Sequence, residues 1–279
     1  MRTPSGSTVG AGEDRFDPVY VTADHLDDLA TFTGLSREAC LKRLRNYSSA
    51  EMVEAWRRAN PRTAGDILRF YQATDLYIWE LMQWHASTSR RPYWETLGLL
   101  AERFPARGFR RVYDFGCGVG TDALFLAERG YEVALVDVDG PTFRFAQHRF
   151  ARRGRTARFL PSASMLPEPD AVYDMTLCFD VFEHLPEPLE AARRLVDALR
   201  PGGLLVEKAS FSGSETHPYH LEGHETRYGG LRWHCWLSGL GLRYVGGSAI
   251  HRRVGGARAL VQRARYGLWR ATGLWVLRA

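Results

Sequence analysis

Lysine is nearly absent from this chain: Lys42 and Lys208 are the only two, so 35 of its 37 cationic side chains are arginine. That skew fits the codon composition of a GC-rich genome better than thirty-five separate guanidinium contacts, and it carries little functional weight. The four cysteines, Cys40, Cys117, Cys178 and Cys235, contain no C-x-x-C pair, which argues against a zinc ribbon or a disulfide framework and fits a reducing, cytoplasmic setting. No apolar run approaches the roughly eighteen residues that cross a bilayer, so a spanning helix is excluded. Residues 1–17, rich in Gly, Ser, Thr and charge, lack the apolar core of a secretory signal and are expected to form a loose tail. Internal repeats and low-complexity segments are also missing.

What remains is ordinary globular usage, 45% hydrophobic and 25% charged, which excludes wholesale disorder, collagen-like repeats and coiled-coil rods. A length of 279 residues suits one core of about 150 to 200 residues plus an appendage. The net charge of +5 permits an acidic partner, yet the arginines are scattered and no recognition module is visible, which argues against nucleic acid as substrate.

Two textures divide the chain into a tail, a helical subdomain at 18–106 and an α/β domain at 107–279. In the subdomain, Thr22, Ser36, Ser49 and Thr63 each precede a helically periodic segment, as N-cap side chains do. Its strongest stretch, Ile67 to His85, sets Phe70, Tyr77, Leu81 and Trp84 on one face. After Arg107, short apolar runs alternate with helical stretches, the mark of a doubly wound, mainly parallel sheet with crossover helices. Strands are expected at 111–115, 132–137, 157–160, 173–179 and 203–209, and helices at 121–129, 142–153 and 188–199. Pro201-Gly202-Gly203 reads as a stop and turn. Further on, 228–240 reads as a helix, 242–248 as a strand and 258–262 as a final edge strand.

Asp114-Phe115-Gly116-Cys117-Gly118-Val119-Gly120-Thr121 lies where the first strand turns into a helix. Glycines there allow a tight turn and let a ligand approach the backbone. The next strand ends in Asp137, a carboxylate placed to accept hydrogen bonds from both hydroxyls of a ribose. A dinucleotide fingerprint needs a third Gly or Ala where this chain has Thr121. The acid ahead of the first glycine suits a cationic amine rather than a pyrophosphate.

Val112 to Thr121, Leu135 to Asp137, Tyr173 to Leu185 and Leu199 to Val206 together resemble the successive motifs of class I S-adenosylmethionine-dependent methyltransferases. The resemblance covers roughly residues 107 to 210 and implies a Rossmann-like fold with S-adenosyl-L-methionine as cofactor. It implies that Asp114, Gly116, Cys117 and Gly118 line the methionine end, that Asp137 with Val138 holds the ribose, and that Asp180 faces the methionine or the substrate entrance. Relatives often place an Asp after the third strand beside the adenine amine. Here Ser162 stands in, aided by the backbone at Ala163, with Met165 packed on the ring.

Asp180-Val181-Phe182-Glu183-His184 follows the fourth strand, and this D-x-x-E-H run resembles the E-x-x-E-H of ubiquinone-biosynthesis and small-RNA 2′-O-methyltransferases, which bind a divalent metal there. A second group, His217, His220 and His224, follows the fifth strand and emerges at the same sheet edge. Asp180, Glu183, His184, His220 and His224 are therefore the candidate ligands of a divalent metal. In the metal-free alternative, His184 and His220, with Glu183 and His217, deprotonate the methyl acceptor.

The aromatic N-terminal helices suit a cover over the cofactor, with Tyr71, Tyr77 and Trp84 near an apolar substrate pocket. The tail from Arg258 to Ala279 mixes five arginines with Leu and Trp. Its composition fits a membrane surface or a packed terminal element, and the lack of a sustained amphipathic period favours packing. The reading as a whole is methyl transfer to an O, N or C atom of a small organic molecule, in secondary metabolism, by an enzyme that a homodimer would suit. The alternatives are a metal-assisted RNA 2′-O-methyltransferase and a non-catalytic cofactor-binding regulator.

Overall fold

The structure, a computed structural model, describes residues 22–212, 218–221, 223–246 and 250–272. The expected tail at 1–17 and the candidate His217 lie outside the described residues.

Six helices come first: α1 (Ala23–Thr33), α2 (Arg37–Asn46), α3 (Ser49–Ala59), α4 (Ala64–Ala73), α5 (Leu76–His85) and α6 (Arg91–Arg103). Thr22, Ser36 and Thr63 cap their helices through backbone N–H groups three residues on. The third cap is Ser48, one residue before the expected Ser49, because the Glu51 side chain reaches back to the Ser48 N–H and closes a capping box. The expected single helix over 67–85 is two. Thr74 turns extended and its hydroxyl accepts from Leu76 N, so the chain changes direction between α4 and α5.

The α/β part runs β1 (Arg111–Phe115), α7 (Thr121–Ala127), β2 (Glu132–Val138), α8 (Pro141–Arg152), β3 (Arg158–Ser162), β4 (Tyr173–Phe179), α9 (Pro188–Asp197), β5 (Leu199–Lys208), α10 (His224–Tyr228), α11 (Leu231–Gly239), β6 (Leu242–Gly246), β7 (Ile250–Arg253) and α12 (Gly256–Thr272). One sheet has the order β3-β2-β1-β4-β5-β7-β6, with its first five strands parallel and β7 antiparallel to both β5 and β6. This is the expected doubly wound α/β sheet.

Three local expectations differ. Strand β5 starts at Leu199, because a register shift opposite Tyr173 and Met175 absorbs Pro201 and Gly202 within the strand. The helix expected over 228–240 is broken at Gly229-Gly230 into α10 and α11. The edge strand expected at 258–262 belongs instead to α12. Ala257, Arg258, Ala259 and Leu260 are strong helix formers, and Val261 is the one β-branched residue among them.

The N-terminal helices share cores with the sheet. Met52, Trp56, Ile67 and Phe70 pack in one cluster with Tyr113, Phe115 and Phe182, while Leu29, Ile78 and Met82 pack with Val119 and Phe145. Asp28 on α1 is fully buried and accepts from Arg149 (3.0 Å), Arg152 (2.7 Å) and Arg153 (2.7 Å), tying α1 to α8. Burial pushes the Asp28 carboxyl up, but the three guanidinium groups outweigh it and hold the group below its ordinary range. At the far edge, buried Glu207 of β5 holds His251 of β7 (3.1 Å) and the Trp233 indole N–H of α11 (3.0 Å). His234 stacks on His251 and brings its ring nitrogens within ligand distance of that pair. Both oxygens of Glu207 are already committed and the two rings lie face to face, so this cluster reads as a hydrogen-bonded clamp.

Candidate active site

Strand order reverses between β1 and β4, and open α/β sheets hold ligands at the carboxyl ends of strands beside such a switch. A cavity of about 1220 Å³ opens there, lined by both strand ends, the loops after β2, β3 and β5, and α5. It exceeds the roughly 300–1,000 Å³ of a typical single-ligand pocket, leaving room for two small molecules.

The glycine loop forms its floor. Gly116 and Gly118 both have left-handed φ, +70° and +54°, which disfavours any residue with a Cβ. A Cβ at Gly116 would run into the Val181 side chain, and one at Gly118 would come within 2.6 Å of Leu81 Cδ1 on α5. Asp137 supports the loop: its Oδ2 accepts from Gly118 N and its Oδ1 from Val138 N, each at 2.7 Å. Burial raises the Asp137 carboxyl to about 6 against the pull of those two N–H groups. Each carboxylate oxygen has a second lone pair, so these bonds leave acceptor capacity for a ribose.

Beside the loop, several buried polar atoms have no partner: Asp114 Oδ2, Ser87 Oγ, and Nε and Nη1 of Arg90. Arg90 is 1% exposed, ion-paired to Asp122, and lies over the rings of Trp84 (4.6 Å) and Tyr93 (4.3 Å). Burial pushes the Asp114 carboxyl well up, and Asp122 and Asp137 push it further, against Arg90. Unsatisfied donors facing an unsatisfied acceptor suit a zwitterionic amino-acid end, whose ammonium would meet Asp114 and whose carboxylate would meet Arg90 and Ser87. The residues thus fit S-adenosylmethionine. Sequence reasoning missed Ser87 and Arg90; the only signal was the polar run Ser87-Thr88-Ser89-Arg90-Arg91 interrupting an aromatic helical stretch.

Of the adenine-side candidates, Val138, Ser162 and Met165 line the cavity, as does Cys117 in the loop, whereas Ala163 is exposed and outside it. The Ser162 hydroxyl donates to Leu166 O (3.4 Å), and Met165 takes a left-handed φ of +56°.

The segments after β4 and β5 meet. Leu221 N donates to Glu183 O (3.1 Å), and the His184 and His220 rings are 4.9 Å apart. His184 Nδ1 donates to Tyr219 O (3.1 Å) and His220 Nδ1 to Ser212 O (2.9 Å). A carbonyl can only accept, so the neutral form of each ring carries its proton on Nδ1 and leaves Nε2 as the basic nitrogen. Glu183 Oε1 accepts from Ser210 N (2.9 Å), and its Oε2 is buried without a partner. Burial raises the Glu183 carboxyl well above its usual range, and Asp180 adds to the effect. Ligand atoms of Glu183, His184 and His220 lie within 4.8 Å of one another.

Asp180 and His224 stand apart from that cluster. Asp180, at a left-handed φ of +52°, accepts two bonds from the Tyr93 hydroxyl (2.7 and 2.8 Å); burial lifts its carboxyl to about 6, against Tyr93, Arg90 and Lys208. It still lines the cavity. His224 packs between Phe211 and Tyr228 with its Nδ1 unpartnered, and burial lowers its pKa. Across the cavity, Glu80 accepts from the hydroxyls of Tyr47 (3.0 Å) and Tyr219 (2.9 Å), a polar bridge between the helical cover and the loop after β5.

Residues 113–206 match a family model described as a methyltransferase domain. The chain is 29% identical over 96 residues to the ubiquinone biosynthesis O-methyltransferase of Idiomarina loihiensis, covering 34% of this chain and 40% of that one. It is 30% identical over 161 residues to the glycine N-methyltransferase of Oryctolagus cuniculus, covering 51% of each. Matches of this kind span about half the length of the curated relatives or less. Among solved structures, an S-adenosylmethionine-dependent methyltransferase from Clostridium acetobutylicum aligns over 43% of this chain and 51% of that one, at 17% identity and a TM-score of 0.39.

Proposed function

Since residues 113–206 belong to the class I S-adenosylmethionine-dependent methyltransferase superfamily, we propose that this protein transfers the methyl group of S-adenosylmethionine to a nucleophilic atom of a small organic molecule. The observation that carries this reading is the continuity of one cavity from Asp114, Gly118 and Asp137 to Glu183, His184 and His220. Bound there, the cofactor would supply an electrophilic methyl on a sulfonium. The protein's part is alignment, exclusion of water and removal of a proton. Asp114, Arg90 and Ser87 fix the amino-acid end and Asp137 the ribose, which aims the methyl at the remaining volume. His184 and His220, each with Nδ1 committed to a carbonyl, offer Nε2 to take the acceptor's proton. Glu183 and Tyr219 flank that position. The closed volume suits an acceptor of secondary-metabolite size better than a polymer.

A second reading follows from the close approach of Glu183, His184 and His220: a divalent ion held by these three would polarise the acceptor oxygen or nitrogen. The test common to both is a panel of phenols, amines and carboxylic acids incubated with methyl-labelled cofactor. Label in product, lost in His184→Ala and His220→Ala, supports the proposal; binding of cofactor with no transfer to any class would favour a regulator.

A further inference from the structure

Helix α12 was expected to pack on the domain, and half of it does. Its inward face rests on α11: the Tyr266 ring lies where a Cβ on Gly239 would come within 2.9 Å, Trp269 meets Trp236 edge-on at 5.9 Å, and Gln262 is buried. At 100° per residue, the opposite face carries Leu260, Val261, Ala264, Leu268 and Ala271. Leu260, Val261 and Leu268 are 65%, 49% and 50% exposed, a high value for apolar side chains in an ordered helix. Arg258 and Arg265 run along one border of this strip, and Arg263 and Arg270 along the other.

The charge around the strip is of one sign. Ten arginines follow Glu225 in the sequence and no Asp or Glu does, so the residues up to Glu225 carry a net −5 in a chain of +5 overall. Apolar side chains facing out between two rows of arginine, with no acid on the neighbouring elements α11, β6 and β7, form the pattern of a helix lying in a bilayer interface. None of the helices among the described residues is long and apolar enough to cross a membrane.

We propose that α12 docks the protein on an anionic membrane surface, with Leu260, Val261 and Leu268 entering the headgroup boundary and Arg258, Arg263, Arg265 and Arg270 meeting lipid phosphates and carboxylates. Long arginine stems bordering an apolar strip reach headgroups on both sides without burying their charge. A second copy is a poorer occupant, since facing two strips would set four arginines against four with no acid to pair them. Nucleic acid would find phosphate contacts in the arginines but nothing to recognise in a Leu-Val strip.

The experiment is co-sedimentation of the full chain with vesicles of phosphatidylcholine alone and of phosphatidylcholine with phosphatidylserine. Binding is expected only to the mixed vesicles and weakens with salt. L260D/L268D, at exposed positions far from the cavity lining, should abolish it while far-UV circular dichroism and S-adenosylhomocysteine binding stay unchanged. Changing the four flanking arginines to glutamine should lower partitioning roughly fivefold for each charge removed. Absence of binding to either vesicle, or equal binding by L260D/L268D, overturns the proposal. So does a dimer that L260D/L268D dissolves in solution, which assigns the strip to a second copy, and so does retention on single-stranded oligonucleotide that outcompetes the vesicles.

Discussion

Leu81 of α5 stands directly over Gly118 of the glycine loop, so close that a β-carbon at 118 would approach Leu81 Cδ1 to 2.6 Å. The helical cover and the loop are thus fitted to one another at a single point, and that contact exists only because residue 118 has no side chain. Gly118→Ala is expected to cost about 1–3 kcal/mol in denaturant stability and to weaken cofactor binding, from the clash together with the left-handed φ of +54°. In a Leu81→Ala background the same change should cost less, because the steric part is relieved and the backbone part remains. Equal costs in the two backgrounds would show that α5 does not bear on the loop.

Arg90 and Asp122 form a buried ion pair beneath Trp84 and Tyr93. Arg90→Ala leaves Asp122 without its charge partner in a low-dielectric site, and a loss of about 3–5 kcal/mol in urea unfolding is expected. Arg90→Lys keeps the charge but not the planar fork, so it should fold while holding a carboxylate ligand less well. A negligible effect of Arg90→Ala on stability would mean that water reaches the pair.

Asp137 gives a pH signature in the cofactor-free protein. Its carboxyl titrates at about 6 when folded and near 4 when unfolded, so the folded state binds the proton more tightly. Stability contributed by the neutral form is then fully present below pH ~4 and lost as pH rises through ~6. Asp137→Asn has no such term. Relative to the native protein, the Asn variant should gain about 2–3 kcal/mol between pH ~4 and pH ~7 in denaturant titrations. A constant difference over that range would mean the carboxylate is hydrated in the fold.

How much of this was legible beforehand follows from the kind of interaction involved. Strand ends with Asp114 and Asp137 were readable because apolar runs and a glycine loop are local signals, and the order of the strands follows from crossover geometry. The meeting of Glu183 with His220 is a long-range contact, and only the rule that successive strand ends share one edge put both segments there. Arg90 was not legible, since its burial depends on Trp84, Tyr93 and Asp122 converging from three separate segments. The α12 helix was misread over 258–262 because five residues are too few to separate period two from period 3.6, whereas the seventeen-residue element shows its strip plainly.

His184 and His220 hold their Nδ1 protons against carbonyls at 3.1 and 2.9 Å, so each offers Nε2 on the cavity side of the same small group. Alanine at either position is expected to lower kcat by about 10²–10⁴-fold with little change in cofactor affinity. Adding a chelator separates the two chemistries: a metal-held acceptor loses turnover, an imidazole base does not. Full activity in both alanine variants would remove this cluster from the reaction.

The central claim is that the cavity at the β1–β4 switch binds S-adenosylmethionine through Asp137, and calorimetric titration of S-adenosylhomocysteine into the native protein and into Asp137→Ala tests it most directly. Binding in the micromolar range is predicted for the native chain. It should weaken at least about tenfold in the variant, since charge-assisted hydrogen bonds contribute about 1.5–3 kcal/mol each. No heat of binding in the native protein, or equal affinity in both, would contradict the account.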